Sequence, residues 1–126
     1  MTPVRWAWPE AKVLNIHDGD SLKLAISLGF DVHVHVWIRL AGVRAPELSE
    51  ADGLQARNDV LTWLRENAPD DQVAVATERT NTPLELRFRQ SFTRYLGLVT
   101  APNGAELNSY LIHKGWIDRG MTVEGT

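Results

Sequence analysis

Residues 30–40 alternate almost without fault. Val32, Val34, Val36, Ile38 and Leu40 fall on one face of an extended chain, and His33, His35, Trp37 and Arg39 fall on the other. Successive strand side chains point to opposite faces, so this segment predicts a strand with one buried and one polar side. Residues 21–28 repeat the pattern with Leu22, Leu24 and Ile26, and Gly29 supplies the turn between the two. Residues 11–16 read as an earlier strand, joined through the turn His17-Asp18-Gly19-Asp20. Three strands in succession predict a strongly curved antiparallel sheet.

Pro46 stops the third strand. Residues 52–66 then read as an amphipathic helix, with Leu54, Leu61 and Leu64 on its apolar side, Val60 and Trp63 close by, and Arg57, Asp59 and Arg65 pointing away. Ser49 or Asp52 is placed to cap it. Residues 72–76 and 92–100 predict fourth and fifth strands, while Leu84, Leu86 and Phe88 alternate like an extra hairpin arm. A short helix follows over 107–114, with Gly115 at its C-terminal cap. The expected fold is α+β and mainly β: a five-stranded Greek-key barrel of the oligonucleotide-binding (OB) type, with two to three short helices, one plugging an end. One domain spans 1–126, its core covering about 11–116.

Composition narrows the function. No apolar run reaches membrane-spanning length and the N-terminal stretch lacks the pattern of a signal peptide, so a cytoplasmic protein is the default expectation. There is no cysteine for a disulfide or thiolate site. The net charge of -3 argues against whole-surface attraction to nucleic acid, so any such contact needs a local cationic cluster. Arginine outnumbers lysine, and its planar fork suits phosphate. A coding bias toward arginine accounts for the same count.

Charged groups gather near the predicted strand ends: Asp18 and Asp20 in the first turn, Arg39 and Arg44 around the end of the third strand, Glu47 after Pro46, and Arg94 in the fifth strand. Cations that clamp a phosphate, carboxylates that hold a metal and one carboxylate base are what phosphodiester cleavage requires. Taken singly, each has a plain structural reading. Acids and glycine favour tight turns, an arginine on a polar strand face is usually just solvated, and Glu47 can cap the loop before the helix.

Read together, Asp18-Gly19-Asp20-Ser21, Arg39-Leu40-Ala41-Gly42-Val43-Arg44-Ala45-Pro46-Glu47, Gly53-Leu54-Gln55-Ala56-Arg57, Phe92-Thr93-Arg94-Tyr95-Leu96-Gly97 and Leu107-Asn108 with Leu111-Ile112 and Gly115 resemble the staphylococcal nuclease (thermonuclease) family, in that family's order. The resemblance implies a barrel-fold phosphodiesterase cutting DNA or RNA with low sequence specificity, assisted by calcium. It implies that Arg39 and Arg94 bind phosphate, Glu47 acts as general base, and Asp20, with Asp18 near it, holds Ca2+. Nucleic acid is then the partner and a monomer the default.

The chain departs from the family where Arg44 replaces the usual aspartate or asparagine that ligates calcium. A guanidinium offers no lone pair. It would repel a cation by about 1–4 kcal/mol at about 4 Å, for effective dielectrics of ~80 to ~20. Three readings follow: Arg44 points away, it takes the metal's place against Asp20 and contacts phosphate, or the site has decayed. Without metal, Arg44 is expected to contact Asp20, Asp18 or Glu47. Phe92 and Thr93 also stand where tyrosine and glycine are common, and the C-terminal segment is shorter. The alternative from another class is a catalytically silent barrel that binds nucleic acid or a protein.

His33 and His35 point the same way, as a metal pair or, more simply, a solvated face. His17 lies beside Asp18, and His113 near a helix C-terminus. Trp63 and Trp116 fit packing positions. Trp6 and Trp8 either cover a barrel edge or stack on bases, and Trp37 is the best candidate for an exposed contact.

Overall fold

The computed structural model describes residues 5–46, 52–79 and 95–117. Five strands, β1 (Arg5–Asp18), β2 (Ser21–Gly29), β3 (Val32–Leu40), β4 (Gln72–Arg79) and β5 (Tyr95–Thr100), close into a barrel in the order β1-β2-β3-β5-β4. Two helices accompany them, α1 (Gly53–Asn67) after β3 and α2 (Leu107–His113) after β5. All pairings are antiparallel except β3 with β5, which run parallel over Ile38↔Tyr95, Arg39↔Leu96 and Leu40↔Gly97. This is the expected OB-type α+β architecture.

The alternation predicted for β2 holds, but β3 follows it only toward its C-terminal end: Val32 and Val34, expected on the buried face, are 51% and 39% exposed near the β2–β3 turn. Leu22, Leu24, Ile26, Ile38 and Leu40 are buried, joined by Ala11, Val13, Ile16, Val73, Val75 and Val99 inside the barrel. Trp63, Val60, Leu107 and Leu111 bring the two helices onto this core. Gly115, with a φ of +102°, ends α2 as expected. No described helix is long and apolar enough to cross a membrane.

Four local expectations need correction. β1 begins at Arg5, well before residue 11, because Trp6 and Trp8 pair with Thr77 and Val75 of β4 and a bulge before Ala11 absorbs Pro9. Phe30 and Asp31 do not belong to β3; their φ values of +55° and +61° place them in the β2–β3 turn. On α1 the buried stripe is Gly53, Ala56, Val60, Trp63 and Leu64, so Leu54 lies 57% exposed while Asp59, expected to face solvent, is only 7% exposed. Asp59 is paired there: its carboxylate accepts the Trp116 indole N–H at 2.8 Å and the Gln55 amide N–H at 2.9 Å. Asp52 occupies the N-cap position of α1 without a side-chain capping bond. Ser49 and the arm containing Leu84, Leu86 and Phe88 lie outside the described residues.

Candidate functional site: an acid turn beside Arg39

The β1–β2 hairpin closes through Gly19 and Asp20, and the register sets Asp18, Ser21 and Arg39 in one cross-strand row. Both carboxylates are buried, Asp18 at 8% and Asp20 at 7% exposure. Their bonds are mostly local. The Asp20 N–H donates to Asp18 Oδ1 at 3.2 Å, and Ser21 Oγ donates to Asp20 Oδ1 at 3.2 Å. Arg39 Nη2 lies 3.9 Å from Asp20 Oδ2, a long ion pair. A buried carboxyl beside a second acid gains proton affinity. Burial pushes the Asp18 carboxyl from 3.8 up to about 6, and Asp20, through a side-chain hydrogen bond and its charge, adds to the rise; the Asp20 backbone N–H and His17 pull the other way.

Neighbouring elements hold this turn in place. Gly19 is pressed between the 43–45 segment and α1: a Cβ there would sit 2.7 Å from the Cβ atoms of both Ala45 and Ala56. Arg57 Nε reaches from α1 to the Ile16 carbonyl at 3.3 Å. Asn108 of α2, 2% exposed, donates to the carbonyls of Ala41 and Gly97 at 2.9 and 3.0 Å and accepts the Val99 N–H at 3.0 Å. It thereby fixes the chain leaving β3 against β5. Of these supports, Arg57 and Asn108 belong to the motifs that carry the family resemblance, but their tertiary partners leave no periodic trace in sequence.

Of the six residues expected at the site, Asp18, Asp20 and Arg39 come together. Glu47 and Arg94 lie outside the described residues. Of the three contacts expected for Arg44, those to Asp18 and Asp20 are not made, its side chain being exposed, and Glu47 lies outside the described residues. The cause is the backbone. Arg44 N–H donates to the Trp116 carbonyl at 3.1 Å and Ala45 N–H to Asp20 Oδ2 at 3.1 Å, and Val43 and Ala45 are buried on either side. Alternation then turns the Arg44 side chain outward.

Among the described residues, no three His, Asp or Glu side chains gather as a metal cluster. Within that set His33 and His35 therefore stand as a pair without a third ligand. Asp18 and Asp20 make a two-carboxylate set, partly compensated by Arg39. Its donor chemistry fits a hard divalent cation that keeps water in most of its coordination positions.

A concavity of about 330 Å³ opens toward the β2–β3 hairpin end of the barrel and is lined by Trp6, Trp8, Leu28, Val34, Ile38 and Tyr95, among others. Trp8 Nε1 donates to Thr77 Oγ1 at 3.0 Å, and Trp6 meets Tyr95 edge-on with centroids 6.3 Å apart. Both N-terminal tryptophans therefore pack at the barrel mouth.

No protein-family model matches the sequence, and no curated protein matches it significantly.

Proposed function

We propose that the chain is a barrel-fold phosphodiesterase of the staphylococcal nuclease type, cleaving DNA or RNA with little sequence preference. The observation that carries this reading is the meeting of two buried carboxylates, Asp18 and Asp20, with Arg39 at one end of the barrel. Buried acids of like charge are costly without a cation, and Arg39 Nη2 lies 3.9 Å from Asp20 Oδ2. Asp18 and Asp20 would hold a divalent cation, calcium by the family resemblance. When bound, that ion supplies positive charge against the phosphoryl oxygens.

The residues of the chain divide the remaining work. Arg39 binds the non-bridging oxygens, where negative charge builds as water adds to phosphorus, and Arg94 is its counterpart by the sequence motif. Glu47 takes the proton of the attacking water, and the P–O bond to the leaving sugar oxygen breaks as the new bond forms. The roles of Glu47 and Arg94 rest on the sequence motifs. The outward course of Arg44 spares the two acids a second guanidinium beside them.

One observation favours the other reading, a silent barrel that binds nucleic acid or a protein: the acids lack a third carboxylate or imidazole among the described residues. Cleavage of single-stranded DNA and RNA with calcium, with magnesium and with chelator, wild type beside Glu47→Gln, separates the two. Calcium-dependent cutting abolished in Glu47→Gln is the expected result. No cutting under any condition would leave the binding barrel.

A further inference from the structure

The β2–β3 turn goes against its local preferences. A two-residue hairpin turn with positive φ at both central positions favours asparagine and glycine. Here Phe30 and Asp31 occupy them, at φ values of +55° and +61°. A bulky side chain is an outlier in that region of backbone space. Phe30 is nevertheless 99% exposed, with Leu28 and Val32 exposed on either side of it. A strained backbone that presents an aromatic ring to the outside points to a surface which that ring meets.

A hole of suitable size lies at the same end of the barrel. The cavity of about 330 Å³ is walled by Trp6, Trp8, Val34, Val36 and Tyr95, with Leu28 at the hairpin. An apolar cavity of about 150 Å³ holds one benzene ring. This one therefore takes a phenyl ring together with part of a neighbouring side chain. Thr77 Oγ1 on its wall already accepts the Trp8 indole N–H at 3.0 Å, which suits an apolar occupant. The chain's own Phe30, being exposed, does not fill it.

We propose that the β2–β3 hairpin end is a homodimer surface, in which Phe30 of each chain enters the Trp6–Trp8–Tyr95 cavity of a second copy. A knob and a hole at one end of one molecule are self-complementary about a two-fold axis, so the contact closes at two chains. Burying two phenylalanines, at about 150–250 Å² each, with the walls they cover removes roughly 600–1,000 Å² from water. Leu28, Val32, Val34 and Trp6, all exposed around the mouth, add to that area. The total is close to the ~1,000 Å² that a specific interface needs and below the ~1,600 Å² of a standard one, so the dimer is weak and reversible. A lipid surface fits the hairpin less well. Residues 26–36 hold no lysine or arginine for anionic headgroups, and Asp31 sits at the tip. β2 runs from Ser21 at the acid turn to Gly29 at this end, so the dimer leaves Arg39 open and the inference is independent of the phosphodiesterase reading.

The test is sedimentation velocity from ~10 to ~500 µM protein, with the Trp6 and Trp8 indole N–H signals followed by NMR over the same range. Wild type is expected to pass from monomer to dimer with a Kd on the order of 100 µM, and both indole signals move with concentration. Phe30→Asn suits the turn better than the native residue, so it folds, and it weakens association about tenfold or more. Val34→Lys, at the exposed rim of the cavity, blocks the hole with a similar loss. An equimolar mixture of the two variants associates more tightly than either alone, because Phe30 of the lysine variant enters the open cavity of the asparagine variant. A wild type that stays monomeric over the whole range would overturn the proposal, as would Phe30→Asn associating like wild type or a mixture no tighter than its components. Two forms of that monomeric outcome name another occupant: indole signals that move only with phosphatidylcholine vesicles mean lipid, and signals that move only in Phe88→Ser mean the chain's own residues.

Discussion

Asp20 Oδ2 accepts the backbone N–H of Ala45 at 3.1 Å, fastening the β1–β2 turn to the residue that follows Arg44. The acid turn and the segment leaving β3 are therefore one unit, and the outward course of the Arg44 side chain is a consequence of that bond. A residue whose neighbours are anchored inward on both sides has only one direction left.

Arg44 should accordingly be dispensable for the fold. Arg44→Ala is expected to change stability by no more than about 0.5 kcal/mol in urea denaturation, as for surface positions free of special contacts. Cleavage in calcium should change less than about threefold, that being less than a single tenfold step of 1.36 kcal/mol. A large loss of either would mean that the guanidinium acts at the acids after all.

The Asp18 carboxyl makes a pH signature. Its affinity for a proton is higher in the folded chain, about 6 against 3.8, so between those values the folded state holds more protons than the unfolded. Stability from this group is full below about pH 4 and is lost as pH rises toward 6. Asp18→Asn should remove that decline and stabilise the protein at pH 7 by about 1–3 kcal/mol, measured by thermal unfolding across pH. Calcium, if held by the pair, should raise the wild-type melting temperature at pH 7 and much less at about pH 4.5, where a proton competes. A wild-type profile matching that of Asp18→Asn would show the carboxyl to be unstrained.

Asn108 carries more stability than its size implies. In Asn108→Ala the buried Val99 N–H loses its acceptor and the part-buried Ala41 carbonyl loses its donor. The expected cost is about 2–4 kcal/mol by chemical denaturation, since each orphaned buried group costs about 1–3. A cost below roughly 1 kcal/mol would mean that water replaces the amide.

Gly97→Ala tests the closeness of β5 to β3. A Cβ at this position would collide with Ile38 Cγ2 and come within 3.3 Å of Val75 Cγ2. Overpacking of this kind costs about 1–3 kcal/mol. A neutral outcome would show that Ile38 can change rotamer without penalty.

Much of the barrel is legible in the sequence because its signals are local. The alternation through Leu22, Leu24 and Ile26, the turn at Gly29 and the helix stop at Gly115 are each written within a few residues of chain. The acid turn is legible too, as a short string with chemistry in it. What a sequence does not display is pairing at long range. The insertion of β5 between β3 and β4, the bond from Asp20 to Ala45 and the burial of Asp59 against Trp116, 57 residues away, depend on partners with no fixed spacing. Leu54 misleads because its apolar side chain fits a helical stripe one position off the true one. β1 reads short because Pro9 interrupts a pattern that a bulge in the structure carries through.

Viewed as a mechanical object, the barrel is a ring of five staves, and a ring yields at its shortest join. Eight register pairs unite β2 with β3, but among the described residues three unite β3 with β5, in the parallel arrangement that is weaker per residue. Arg39 is the middle member of that join. A substitution at Arg39 would therefore act on the seam with the fewest described pairs, and its effect would reach the closure of the hoop as well as the acid turn.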